Sequence, residues 1–169
     1  MLSNLFYLEH KKIIILIFLY SIFALLFAFY FQYVENYPPC ELCLFQRIPY
    51  FFSIIVCILY LTNIFKNLFM VILLQINFLV SFVISGFHYG VEEKFWVYKS
   101  GCTNNFNDFE NIDQLRIFLE KAQIIKCDEV ILSIFGVSMA AGNMLISLSV
   151  FIILSVILYK GYANEKRIV

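Results

Sequence analysis

Charge is scarce in this chain. Only 14% of its 169 residues are Asp, Glu, Lys or Arg, against roughly a quarter in ordinary soluble domains, while 62% are hydrophobic. That balance excludes a soluble globular protein. The charges present cancel, twelve basic against twelve acidic, so there is no basic excess with which to hold nucleic acid. No Asp, Glu, Lys or Arg falls within the four long apolar runs, Ile13 to Phe31, Ile48 to Phe65, Leu68 to Phe87 and Gly136 to Tyr159. An ion or proton translocator lines its path with ionisable groups, and their absence argues against one. Also missing is a small-residue cleavage site after the first run. Lys11 and Lys12 precede it as in a signal peptide, but it is long and aromatic toward its end, so it reads as a retained helix.

What is there is membrane-spanning sequence. A hydrocarbon core takes about 20 helical residues, with a lower limit near 17, and each run meets or approaches that length. The expected fold is an all-α membrane protein, a single domain over residues 1–169. Its four-transmembrane-helix bundle has helices at about 13–31, 48–65, 68–87 and 136–159. Outer loops fall at about 32–46 and 88–135, the second carrying a short amphipathic interfacial helix from Ile112 to about Ala122. Asn111 can cap that helix, and Ile112, Leu115, Phe118, Leu119 and Ala122 fall at helical spacings. A tight turn around Thr62 to Asn67 makes the second and third helices an antiparallel hairpin.

Orientation follows from Lys and Arg in the short flanks. Lys11, Lys12, Lys66, Lys160, Lys166 and Arg167 fall on one side, whereas the first outer loop has none, with Arg47 at its membrane edge. Both termini are therefore expected in the cytoplasm and both long loops in the periplasm.

The cysteines sort accordingly. Cys40 and Cys43 lie in the first outer loop and Cys102 and Cys127 in the second, facing a compartment where disulfides persist. Cys57 follows Arg47 by ten residues, roughly 15 Å of helix rise, which puts it near mid-membrane as a small hydrophobe. Two thiols separated by two residues can close a small redox ring, and the same spacing also serves zinc half-sites and structural crosslinks. Pro38 and Pro39 stop the first helix before Cys40, and Pro49 belongs in a helix's first turn, so the second helix is expected to begin near Phe45 to Ile48. Cys43 would then sit beside a helix N-terminus, where the macrodipole and the Arg47 guanidinium favour its thiolate. Arg47 also reads as a snorkelling anchor. His88 is expected at the depth of Arg47 and the first thiol pair, where both could donate to an aromatic molecule with carbonyl oxygens. In the third helix Gln75, Asn77, Ser81 and Ser85 should face neighbouring helices. Cys102 and Cys127 are 25 residues apart, and four cysteines allow three pairings. Local pairing is the resting expectation, with pairing between loops an exchange intermediate; a zinc site would need four converging ligands.

Taken together, PPCELCLFQR at the end of the first loop, GFHYGVEEKFW at the end of the third helix, Cys102 and Cys127, and CDEV followed by FGVSMAAGN resemble the DsbB family of disulfide bond formation proteins. Two departures stand out: Phe95-Trp96 replaces the usual tryptophan pair, and Gly142 stands where a tryptophan often precedes Asn143, neither touching an expected catalytic group. The DsbA–DsbB–quinone system is known to keep the bacterial periplasm oxidising. The resemblance implies an inner-membrane thiol oxidase and quinone reductase. Cys102 would engage a reduced DsbA-like partner and release Cys127, which would attack Cys40 and free Cys43 to pass electrons to ubiquinone or menaquinone. Arg47 and His88 would lie in the quinone region, with Cys43 against the quinone. Because that partner has a potential near −120 mV, an acceptor well above it is required, and a membrane quinone supplies one. The alternatives are a dedicated DsbI-type homologue with its own partner, a reductase resembling vitamin K epoxide reductase, or a non-catalytic membrane subunit whose cysteines are only crosslinks.

Overall fold

The computed structural model describes residues 2–62, 67–98, 127, 133–134 and 136–168. Cys102, the expected interfacial helix and the 63–66 turn lie outside the described residues. Helix α1 spans Leu2–Tyr33, α2 Glu41–Phe45, α3 Ile48–Leu61, α4 Asn67–Glu92 and α5 Met139–Ile168. A two-stranded antiparallel ladder, β1 (Ser133–Ile134) and β2 (Val137–Ser138), pairs Ser133 with Ser138 just before α5. Its turn holds Gly136 at φ +80, a conformation glycine adopts without strain.

Among the described residues, four stretches are long and apolar enough to cross a membrane: Lys11–Tyr33, Glu41–Leu61, Leu68–Glu92 and Met139–Lys160. The protein is an all-α membrane protein with a four-helix bundle. In sequence order each long helix packs on the next, α1 on α3, α3 on α4 and α4 on α5. Large apolar side chains such as Leu16, Leu19, Leu26, Leu68 and Ile152 remain on the outer surface, as lipid contact requires. The core gathers Ile14, Val56, Tyr60, Met70, Leu74, Phe78 and Leu154, with Cys57 fully buried among them.

Since lipid tails are as apolar as leucine, polar pairs hold the helices in register. The side-chain amide of Asn77 donates to Pro49 O at 2.9 Å and to Ser53 Oγ at 2.8 Å, joining α4 to α3. Gln75 donates to Ser155 Oγ at 2.8 Å, and Ser81 and Ser147 Oγ lie 2.9 Å apart, joining α4 to α5. Ser85 instead bonds back to Ser81 O in its own helix. Each interhelical bond is worth about 0.6 kcal/mol, with an upper value near 1.7.

Two helix ends depart from the expected boundaries in ways that matter for the site. First, α4 continues past Phe87 to Glu92, so His88 and Glu92 stand one turn apart on a helix instead of in a loop. The chain then closes with Phe95 N–H to Gly90 O at 2.9 Å and Lys94 N–H to Val91 O at 3.1 Å, with Lys94 in the left-handed region at φ 60. This is the Schellman closure usually made with glycine. Hydropathy falls at His88, but hydrogen bonding carries the helix on. Second, a short helix, α2, precedes α3, and the pair of helices is divided at Gln46 and Arg47. The N-cap is Cys40, whose sulfur accepts the Cys43 N–H at 3.3 Å. The helix start expected beside Cys43 is therefore capped by Cys40 instead. Pro38 and Pro39 supply the physical reason, since they keep the chain extended up to residue 40.

Candidate functional site

The first thiol pair sits where α2 begins. Cys40 is buried and its thiol donates to Cys43 Sγ at 3.0 Å, the approach expected of two sulfurs that exchange a bond. Cys127 reaches the same place from the second loop. It forms a small buried cluster with Cys40, Leu42 and Val91, with Cys43 and Tyr98 against it, and the backbone N–H groups of Leu42 and Glu41 face its sulfur. Three of the four expected redox cysteines thus converge. The hydrogen bond to Cys43, with burial behind it, pushes the Cys40 thiol up to about 12, and burial pushes Cys127 up to about 11. Both hold their protons at neutral pH.

His88 lies nearer the sulfurs than the sequence suggested: it is 3% exposed, with Nε2 3.5 Å from Cys40 Sγ. Its other nitrogen faces Gln46 Nε2 at 2.8 Å. The direction of that bond follows from a chain of partners. Tyr50 and Ser147 hydroxyls donate to Asn143 Oδ1. That oxygen being taken as acceptor, the Asn143 amide turns its Nδ2 to Gln46 Oε1 at 3.0 Å. Gln46 in turn presents its N–H to His88 Nδ1, so the neutral ring carries its proton on Nε2, toward Cys40. Glu92 Oε1 stands 3.8 Å from the same Nε2. Sequence reasoning passed over Gln46, Asn143 and Tyr50 because contacts across 42 to 97 residues cannot be read from spacing, and Glu92 because the helix was expected to end at Phe87, which hides its i,i+4 relation to His88.

Arg47 occupies the joint between α2 and α3. Its Nη1 donates to Gln32 Oε1 at 2.5 Å and its guanidinium lies 5.2 Å from the Phe29 ring centroid, so two residues of α1 hold it. The snorkelling-anchor reading and the cavity reading meet here, for Arg47 also lines a cavity of about 330 Å³.

That cavity lies between α1 and α5. Phe23, Ala24, Phe27, Ala28 and Phe31 of α1 and Ile146 of α5 form apolar walls, while Cys43, Gln46, Arg47, His88, Glu92 and Asn143 gather polar atoms in it. Its size falls in the small-molecule range, and apolar walls with a few fixed donors are what an aromatic ring with carbonyl oxygens needs. The residues present fit a quinone: Arg47 and Asn143 could meet its oxygens, and the phenylalanines its ring and tail. Gly142 also lines the cavity, and a Cβ there would meet nothing within 4 Å. The departure at Gly142 thus concerns the cavity wall itself. At the other departure Phe95 stands in for a tryptophan, and the tryptophan that is kept, Trp96, stacks on Phe87 with centroids 5.7 Å apart and donates to Phe87 O at 2.9 Å, a structural role.

Cys40, Cys43 and His88 bring three donor atoms within 4.8 Å of one another. A structural zinc closes its shell with four, and among the described residues no fourth donor completes this group. Sulfur exchange is the chemistry the contact between Cys40 and Cys43 favours.

Exchangeable sulfurs presented over a cavity at the edge of a lipid-embedded helix bundle define the class of membrane disulfide oxidoreductases. Within that class the chain belongs to the DsbB family: it matches Disulfide bond formation protein DsbB over residues 10–157. It is also similar to uncharacterized protein RP370 of Rickettsia prowazekii (strain Madrid E), at 27% identity over 159 residues that cover 93% of this chain and 92% of that protein. The family is in general quinone-dependent.

Proposed function

We propose that this protein reoxidises a soluble periplasmic dithiol oxidase of the DsbA type and passes the electrons to a membrane quinone, ubiquinone or menaquinone. In this reading it sits in the bacterial inner membrane with both termini cytoplasmic and its loops periplasmic. Cys102 takes up the partner's thiol and releases Cys127. Cys127 attacks Cys40, the Cys40–Cys43 bond breaks, and Cys43 is left as the thiolate facing the cavity. The quinone, when bound, supplies the oxidising power. Arg47 orients its oxygen and offsets negative charge, while the Phe23, Phe27 and Phe31 wall keeps water away from the exchange.

The observation that carries this reading is the adjacency of three sulfurs to one cavity: Cys127 packs on Cys40, Cys40 is 3.0 Å from Cys43, and Cys43 lines the cavity with Arg47 and His88. The test is turnover of purified protein with reduced DsbA and a soluble quinone. The wild type should reduce quinone in step with DsbA oxidation, and Cys43→Ser should abolish it. A wild type that forms disulfides but never reduces quinone would make the cysteines crosslinks only.

A further inference from the structure

We propose that Glu92, working with His88, is the proton port of the thiol exchange: it takes up the proton that leaves Cys127 and holds it beside the cavity. This rests on the relay order given above and adds a residue to it.

The geometry singles out Glu92. Its side chain is 6% exposed, and Oε2 is buried with no hydrogen-bond partner. A buried carboxylate oxygen left unpaired costs more than almost any other polar atom, so it needs a purpose. The other side of the group is fixed. Ser138, whose Oγ caps α5 by accepting the Ala141 N–H at 3.1 Å, hydrogen-bonds to the carboxylate, and Oε1 lies 3.8 Å from His88 Nε2. Glu92 also lines the same cavity as Cys43 and Arg47. His88 Nε2 is thus flanked by a sulfur at 3.5 Å and a carboxylate at 3.8 Å, and the Gln46 contact at Nδ1 leaves the ring's single proton on Nε2. Catalytic hydrogen bonds are often long before substrates are in place.

The step balances within the chain. Cys127-SH and the Cys40–Cys43 disulfide give a Cys127–Cys40 disulfide and Cys43-S⁻; one S–S bond forms as another breaks, with no net oxidation. The proton has to leave. Glu92 takes it and becomes the neutral acid, while the Nε2–H of His88, which has no free electron pair to accept a proton there, faces both Cys40 Sγ and Glu92 Oε1 and keeps the carboxylate beside the exchanging sulfurs. Charge stays constant, because one carboxylate is neutralised as one thiolate appears. Quinone reduction consumes two protons with two electrons, and the proton on Glu92 is one of them, already at the cavity wall.

Among the described residues, the charged and titratable groups near Glu92 are His88 and Glu93 on α4 and Cys43 on α2, with Cys40, Arg47, Cys127, Glu41 and Tyr98 beyond them. They are common to every variant below, so a difference reports position 92.

The experiment uses the full chain in lipid nanodiscs with Cys102→Ser, which leaves Cys127 free to attack, and with no quinone added. The fraction of Cys40–Cys127 disulfide is read by acid quench, alkylation and mass mapping across the neutral pH range. If Glu92 keeps the proton, formation releases none and the fraction is independent of pH. In Glu92→Gln the proton goes to solvent, so the ratio of products to reactants should rise about tenfold per pH unit by mass action. Glu92→Asp should restore the flat profile. A wild-type slope of one decade per pH unit, or the same slope at Glu92 and Gln, overturns the proposal, and the wild-type slope decides it even if the variants fold poorly. Absence of the Cys40–Cys127 species at every pH would instead overturn the relay order itself, and Glu92's part with it.

Discussion

Gln46 Nε2 lies 2.8 Å from His88 Nδ1, and this contact directs the imidazole proton to the other nitrogen, 3.5 Å from Cys40 Sγ. A glutamine amide donates through nitrogen only, and its oxygen is occupied by Asn143. Removing either amide frees the ring to adopt the wrong tautomer. Gln46→Leu and Asn143→Ala should each slow quinone-linked turnover by about tenfold, the equivalent of about 1.4 kcal/mol, within the cost of one broken buried hydrogen bond. Nitrogen NMR of labelled histidine checks the cause: the Nε2-protonated signal of His88 should give way to a tautomer mixture. An unchanged signal with lost turnover would assign these amides to packing.

Arg47→Ala should raise the quinone KM far more than it slows exchange with the DsbA-type partner, because Arg47 lines the cavity on the Cys43 side, whereas Cys127 packs on Cys40. Arg47→Lys should recover little, since a lysine cannot reproduce both the Gln32 contact and the stacking over Phe29. Steady-state kinetics at varied quinone and varied partner separate the two steps. Equal loss in both would make Arg47 a brace between α1 and α3.

Gly142→Trp should fill open cavity space while leaving the fold in place, because nothing stands within 4 Å of the added Cβ. Quinone affinity should fall by tenfold or more while the melting temperature holds, measured by turnover and by thermal unfolding. A variant that melts early would show that the indole has no room.

Gly90→Ala should destabilise the protein. The new Cβ would collide with the Trp96 ring, so the indole must leave its stack on Phe87. Overpacking of this kind costs about 1–3 kcal/mol. Thermal unfolding checks it, and pairing with Trp96→Ala should relieve most of the loss.

Thiol reactivity should follow the raised values of Cys40 and Cys127, about 12 and about 11. Alkylation of both in the fully reduced protein should keep rising with pH beyond 9, where an ordinary exposed thiol of pKa about 8.5 has levelled off. The same shift has a stability sign. The folded state holds these protons to higher pH than the unfolded chain does. Stability is therefore fully present below the unfolded value and falls as pH rises through the window up to about 11 and 12. A plateau near pH 9 for both thiols would count against the buried cluster.

The sequence by itself determined the class of fold. Four uncharged apolar runs can bury their backbone polar groups in lipid only as helices. Polar side chains inside such runs must find one another, as Asn77 with Ser53 and Ser81 with Ser147 do. The thiol pair, Arg47 and His88 could be singled out as candidates too, because cysteine spacing and residue type are local properties. Only the tertiary structure decided how they meet. That α4 runs on to Glu92 depends on hydrogen bonds beyond the end of the hydropathy signal. The chain from Tyr50 through Asn143 and Gln46 to His88 joins three helices, and the cavity exists because residues of α1, the α2–α3 joint, α4 and α5 come together around it. No periodicity encodes such cross-helix distances, since they arise from which faces pack, and that is settled by all four helices together.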